Sequence, residues 1–357
     1  MKKTSLLAAF LLLLSLTAGC GTQAPAAASS SASGTETLQM ERLCLELPRS
    51  CAEKPDAVDA FCESLRGALK DHGVDVGKVT VTFGTSEAAT AQALEAGGVQ
   101  AAVLSGESYV KYGSGSLVVA AGDVLNERDD GDSTDPAVWN GEEALTAQRQ
   151  TPRAGLRTLL AAGPSDYGAQ LARRVQNGKT PSWTELDHAA WGVLAGDTAM
   201  ASQWLEDNYE GNTIEDLSTV TTFDTYADLL WALANGEVDA AVLPEDMFFY
   251  CVDLGMWTAP AFEPVENSAS RGLGRENPMW DEVTVLGVSE RYFTAVMAVS
   301  VTDQTVSSST FTAALQAALL NLSQSHQEVL AEAGLPAMVG VTDDQFDGMR
   351  RALAGEK

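Results

Sequence analysis

Basic residues, histidines and aromatics are all scarce in this chain: 22 Lys+Arg stand against 49 Asp+Glu, with three His and 7% aromatics, for a formal net charge of −27. So acidic a surface repels phosphate backbones and anionic headgroups, which excludes nucleic acid as a partner and charge-driven docking on a membrane. His72, His188 and His326 lie far apart without ligand spacing, so no metal site is expected. Neither a G-x-S-x-G elbow nor a phosphate-binding P-loop occurs, and Gly272-Leu273-Gly274 follows no convincing strand. Nothing in the sequence therefore supports an enzyme or a bound cofactor. Besides Cys20, only Cys44, Cys51, Cys62 and Cys251 are present; their spacing fits no metal motif, and a body of this size needs no disulfide staple. They are expected to be free and half-buried. Beyond the N-terminus, no apolar run approaches the roughly 20 residues of a membrane-spanning helix.

The N-terminus itself is different. Lys2-Lys3 precede an apolar run from Leu6 to Leu16, followed by Thr17-Ala18-Gly19-Cys20. The run is short for a permanent span, and with its basic start and small-residue end it reads as a secretion signal over 1–19 with a lipoprotein ending. Thr17 stands three places before Cys20, where such signals usually carry Leu. Residues 20–37, rich in Ala, Ser, Thr and Gly, cannot bury enough apolar surface to fold and read as a flexible tether. Lipidation at Cys20 would hold a folded, extracytoplasmic domain at a membrane. Loss of the signal removes two lysines, leaving 20 Lys+Arg against 49 Asp+Glu and a formal charge of −29.

Within the body one pattern is written twice. Residues 93–104 align without a gap on 232–243, with Ala93-Leu94, Gly97, Val99 and Ala101-Ala102-Val103-Leu104 repeated 139 residues later, and Thr80-Val81-Thr82 recurs as Thr219-Val220-Thr221. Each copy reads as a β-rich run, a polar turn, a helix, a glycine stop and a continuous apolar run suited to a buried parallel strand. Two βαβ units so widely spaced point to two similar α/β lobes rather than a solenoid.

Around these units the periodicity predicts strands at Leu38–Leu47, Val79–Phe83, Leu117–Ala121, Arg157–Ala162, Ala189–Leu194, Val283–Val288 and Ala295–Val301. Helices are predicted at Pro55–Asp71, Trp183 onward, Ala199–Asn208, Thr310–Ala333 and Thr342–Leu353. A long polar insert runs from Asn126 to Gln150, with an acidic stretch at Glu127–Asp132. Lobe 1 is expected over 38–152 plus 292–357 and lobe 2 over 153–291, each a mostly parallel sheet flanked by helices.

The order of these segments resembles the phosphonate- and phosphite-type substrate-binding proteins of ABC importers. The resemblance rests on the strand ending at Pro48, the stretch Ala93 to Tyr109, Trp183-Thr184-Glu185-Leu186, Asn235-Gly236-Glu237-Val238-Asp239-Ala240-Ala241 and the tail Gly340-Val341-Thr342-Asp343-Asp344-Gln345-Phe346. It implies the two-lobed type 2 periplasmic-binding fold, a small-molecule ligand held between the lobes, an ABC permease as partner and a monomeric state. In such folds ligands bind beyond the carboxyl ends of parallel strands, where helix N-termini offer unpaired N–H groups. The turns that qualify give as candidates Ser50 after the first strand, Thr85 and Ser86, Ser105, Ser108 and Tyr109, Asp197 and Thr198, and Thr225 and Tyr226. The hydroxyl residues among them also suit ordinary helix capping, and the tyrosines suit packing beneath a loop.

Two of these turns depart from the family's pattern. Gly196-Asp197-Thr198-Ala199-Met200 stands where the family has a Ser-rich oxyanion turn, and Phe223-Asp224 where it often has a His. An aspartate about 4 Å from a bound anion opposes it by about 4 kcal/mol per charge pair at an effective dielectric near 20. Either Asp197 and Asp224 point away from the cleft or the ligand also carries a cationic group such as an amine. A phosphonate-like oxyanion is the leading ligand class. A tethered interaction or sensory module that has lost ligand binding is the alternative.

Overall fold

The computed structural model of the protein describes residues 37–124, 133–143, 152–266 and 270–354. The signal, Cys20, the tether before Thr37 and the acidic stretch Glu127–Asp132 lie outside the described residues. From Thr37 onward the chain builds two sheets. It begins with β1 (Leu38–Leu47), α1 (Pro55–Asp71), β2 (Val74–Phe83), α2 (Glu87–Glu95), β3 (Ala101–Leu104), α3 (Gly106–Tyr112) and β4 (Ser116–Gly122). It then forms β5 (Leu156–Ala162), α4 (Asp166–Gln176), α5 (Trp183–His188), β6 (Trp191–Leu194), α6 (Ala199–Asn208), β7 (Val220–Phe223), α7 (Tyr226–Ala234), β8 (Ala240–Pro244), α8 (Glu245–Asp253), α9 (Met279–Glu282) and β9 (Thr284–Tyr292). It returns through β10 (Val296–Ser300), α10 (Ser309–Ser325), α11 (Gln327–Ala333), β11 (Met338–Gly340) and α12 (Asp347–Ala354).

The strand orders are β11-β4-β10-β3-β1-β2 and β9-β5-β8-β6-β7. Written this way the sheets have one plan. In each, the two strands of the duplicated unit flank and run parallel to a central strand, β1 or β6. In each, a strand that has crossed from the other half enters antiparallel beside the unit's second strand, β10 against β3 and β5 against β8. Both sheets are therefore mixed, and the reason lies in the path of the chain. The crossing strand starts at the edge where the parallel strands end, Val296 opposite Leu104 and Leu156 opposite Tyr292, so it can only run back against them.

Both faces of each sheet are covered, which is why the second strand of each repeat reads as an unbroken apolar run. Ala101 and Val103 join a core that contains Phe61, Leu65 and Leu69 of α1 and Phe311, Leu315 and Leu319 of α10. Ala102 and Leu104 face the opposite way, with Leu94, Tyr109 and Phe346. The second copy repeats the alternation, Ala241 and Leu243 on one side and Ala240 and Val242 on the other. The repeated glycines end their helices for the same reason: Gly97 and Gly236 have φ of 70° and 69°, a left-handed turn that costs other residues energy.

The sequence reading needs correction at several elements. The helix expected over 310–333 breaks at His326 into α10 and α11. The helix expected from Thr342 opens with a 3-10 turn, Asp343–Phe346, because Thr342 and Gln345 close a capping box there. β2 begins at Val74 and β6 at Trp191. The described part of the polar insert, assigned by sequence to the first lobe, packs on the second. Trp139 is 2% exposed against Phe249, and Asn140 exchanges side-chain hydrogen bonds with the backbone of Val285. Cys51, Cys62 and Cys251 are free and buried, and Cys44 is free and half-buried.

Candidate functional site

The three parallel strands of each sheet end at one edge, and there the next helices begin. In the first sheet, β2 leads through Gly84-Thr85-Ser86 into α2, and β3 through Ser105 into α3. In the second, β6, β7 and β8 lead into α6, α7 and α8. Both crossing strands start at this same edge, so five helix N-termini, each with unpaired N–H groups, gather around the crossings.

In the second sheet the turns bring together a Tyr–Asp–Asp–Tyr cluster. Tyr226 donates its hydroxyl to Asp197 Oδ2. Burial pushes the Asp197 carboxyl above the usual range, and the Tyr226 bond offsets part of that. Asp246 is likewise raised, first by burial, with Asp197 adding to the shift, while its own Oδ1 accepts from Met247 N at 2.8 Å. Tyr292, at the end of β9, is raised by burial and then by the charges of Asp197 and Asp246. A low-dielectric site disfavours unpaired charge, so these two carboxyls hold their protons more tightly than solvated ones.

The first sheet contributes a matching set of donors tied up by acid. Ser105 caps α3 by accepting from Ser108 N at 3.1 Å and donates its hydroxyl to Glu87 Oε2. Glu46, near the end of β1, accepts from Thr82 and Thr90 hydroxyls. Tyr109 is packed beneath this edge: it is 4% exposed, lies edge-on against Phe346, which stacks on Phe293, and donates its hydroxyl to Asp343 at 2.6 Å.

Two of the remaining candidates are taken up by capping bonds. Ser86 accepts from Ala89 N and Thr225 from Asp228 N, both at 3.2 Å, and the two residues occupy equivalent places in the repeat. Thr198 stands at the N-cap of α6 without a side-chain capping bond. Thr85 is exposed in the turn before α2, and Ser50 is exposed in a 3-10 turn after β1. Ser108 is buried in α3.

A buried polar network links the crossings. Glu245 is fully buried; its carboxylate accepts from the Arg153 guanidinium and, at 2.8 Å, from the Arg157 backbone N–H. Arg157 Nη1 donates to Ser289 O at 2.9 Å, Thr158 N to Ser289 Oγ at 2.9 Å, and Arg291 Nη1 to Gly155 O at 3.1 Å. The outgoing and returning segments are thus held to each other beside the cluster.

Sequence reasoning missed Asp246, Tyr292, Glu87, Glu46 and Glu245. For two of them the signal was present. Continued past Leu104 and Leu243, the repeat aligns Ser105-Gly106-Glu107 with Pro244-Glu245-Asp246, which marks the latter as a strand-end turn. Among the described residues no group of His, Cys, Asp and Glu suits a metal ion, and no helix is long and apolar enough to cross a membrane.

No curated protein sequence matches the chain. Among solved structures, the Mycoplasma hyorhinis protein Mh-p37 superposes with a TM-score of 0.54 at 13% identity, over 89% of this chain and 99% of that one, which establishes the shared fold. PhnD1 from Prochlorococcus marinus, solved with methylphosphonate, gives a TM-score of 0.42 at 11% identity over 87% and 97%. The aliphatic sulphonate binding protein SsuA from Escherichia coli gives 0.39 at 12% over 85% and 88%. The family model described as the phosphonate periplasmic substrate-binding protein of ABC transporters matches residues 52–346, and the chain belongs to that family.

Proposed function

We propose that the protein is a lipid-anchored, monomeric, extracytoplasmic receptor that closes its two lobes on a small oxyanion of the phosphonate or phosphate type and presents it to an ABC permease. The observation that carries this reading is the gathering of five helix N-termini around the crossings. They supply oriented N–H donors for an anion where the sequence supplies few cations. The anchor is Cys20, at the end of the signal. Ligand contacts are proposed from the turns at Thr85–Ser86, Ser105, Thr198 and Thr225–Tyr226, with Asp246 and Tyr292 added. The acidic side chains are the specificity filter: they oppose a multiply charged anion unless they are protonated or the ligand brings a cationic group.

A thermal-shift series on the protein from Cys20 onward tests this, with methylphosphonate, phosphite, phosphate, 2-aminoethylphosphonate and an amine lacking an anionic group. A specific ligand in excess raises the melting temperature by mass action. A shift with the oxyanions supports the reading, and a larger one with 2-aminoethylphosphonate assigns the acids to its amine. A shift with the plain amine alone, or with none of the series, overturns it.

A further inference from the structure

Three of the chain's few cations line a single pocket on the second lobe. Arg173, Arg174 and Lys179 surround a space of about 390 Å³ whose lining includes Tyr167 and Leu171, with Glu185 at its side. The pocket is separate from the cleft. Its helix, α4, is capped by Ser165, which is bonded to Asp239, and Asp239 also accepts from Ala190 N at 2.8 Å. Those residues precede β6 and β8, at the edge opposite the candidate turns.

The one acid in the pocket is already engaged. Glu185 Oε2 accepts from Ser182 N and Ser182 Oγ, both at 2.8 Å, and from Arg174 Nη2 at 2.9 Å. The Ser182 bonds, with the Arg174 charge, hold its carboxyl below the usual range. Arg173 and Lys179, both exposed, make no side-chain hydrogen bond or ion pair among the described residues. Arg174 Nε is sealed from solvent without an acceptor. A buried N–H in that state is costly, and an anion that draws the guanidinium forward relieves it. Two free cations, a third with an unmet donor and an apolar wall of Tyr167 and Leu171 together fit an anion with a hydrophobic part.

We propose that this pocket is a second ligand site, which takes a small organic dianion independently of the cleft. Arg173 and Lys179 hold its charged group, Arg174 completes the cradle from the anchor that Glu185 gives it, and the organic part lies on Tyr167 and Leu171. Charge-assisted contacts of this kind are about twice as strong as neutral ones and weaken with salt.

The test uses the protein from Cys20 onward with phenyl phosphate as the probe and inorganic phosphate as the comparison, by titration calorimetry. Lysine acetylation is followed by mass spectrometry in parallel. Saturable phenyl phosphate binding is expected, tighter than that of phosphate. Affinity is expected to fall about tenfold or more in Arg173→Gln/Lys179→Gln, a pair of exposed positions whose change leaves the core intact. Bound phenyl phosphate is also expected to protect Lys179 from acetylation. Absence of saturable binding below about 10 mM overturns the proposal. So does binding that the double variant leaves unchanged, or that leaves Lys179 of the unaltered protein as reactive as without ligand, since either result places the anion elsewhere, in the cleft included.

Discussion

The hydroxyl of Tyr226 is donated to the carboxylate of Asp197, so that two residues the sequence nominated as separate ligand contacts are partners of each other. The bond stabilises the charged form of Asp197, yet burial outweighs it and the carboxyl still titrates high. An anion entering here must take Tyr226 from Asp197 or meet Asp197 protonated.

Asp197→Asn removes that charge while keeping an acceptor for Tyr226. Methylphosphonate affinity at neutral pH is expected to rise about ten- to hundredfold, as the loss of one like charge several ångströms away at an effective dielectric near 20 predicts. The advantage over the unaltered protein should shrink as pH falls and Asp197 takes up its proton. Calorimetric titration across pH 5 to 8 checks this. Weaker binding in the variant would show that Asp197 contacts a cationic part of the ligand.

The same cluster has a signature in unliganded stability. Asp197 and Asp246 have folded-state pKa values raised above the unfolded carboxylate value of about 3.9, so the folded form binds more protons between the two values. Their ionisation therefore destabilises the fold as pH rises through the folded values, and acid restores that stability until the unfolded value is reached. Asp197→Asn/Asp246→Asn is expected to melt a few degrees higher at pH 7.5, with the difference closing toward about pH 4. Melting curves at half-unit pH steps suffice. A difference that grew toward acid would reverse the assignment.

Glu245 holds the outgoing crossing at a fully buried carboxylate, through the Arg153 guanidinium and the Arg157 backbone N–H. Removing one partner of such a pair leaves an uncompensated charge and an unsatisfied backbone N–H, at a cost of about 3–5 kcal/mol. Glu245→Ala is expected to lose that much in urea unfolding, whereas Glu185→Ala, at a half-exposed pair with Arg174, is expected to lose about 1 kcal/mol or less. Equal losses would mean that the crossing network carries no special share of the stability.

How much of this was legible follows from what each feature depends on. The duplicated units, the exact limits of α1 and α6 and the apolar strands β3 and β8 were readable because hydrophobic period, Pro55 at a helix start and glycine at 97 and 236 are local signals. The antiparallel entry of β5 and β10 was not, since it depends on where the chain returns. The site was half legible: turn residues could be placed at strand ends, but which of them would be consumed by capping, as Ser86 and Thr225 are, required coordinates. Tyr109 and Tyr226 look alike in sequence. Both donate a hydroxyl to an aspartate, Asp343 and Asp197, and only burial separates them, Tyr109 being sealed at 4% exposure and Tyr226 half-buried.

Anchoring is tested at Cys20. Cys20→Ala is expected to leave the protein unprocessed by the lipoprotein pathway and to abolish incorporation of labelled palmitate. Labelling that persists in the variant would place the acyl chain elsewhere.

Gly106 offers a way to probe the joint between the first lobe and the returning chain. Its N–H donates to the carbonyl of Phe293 at 3.0 Å, and a Cβ placed on it would lie 2.2 Å from that same oxygen. No side-chain rotation relieves a clash with backbone, so Gly106→Ala must push α3 away from the segment between β9 and β10. The strain is expected to cost about 1–3 kcal/mol in urea unfolding. Because that segment is one of the two crossings, the displacement should also change closure, lowering methylphosphonate affinity several-fold although no ligand contact is altered. Gly67→Ala is the control, since its Cβ would meet nothing within 4 Å and it sits in helix α1. It should be neutral or slightly stabilising. Loss of stability in Gly106→Ala with unchanged affinity would show that the crossing at Phe293 bears load without taking part in closure.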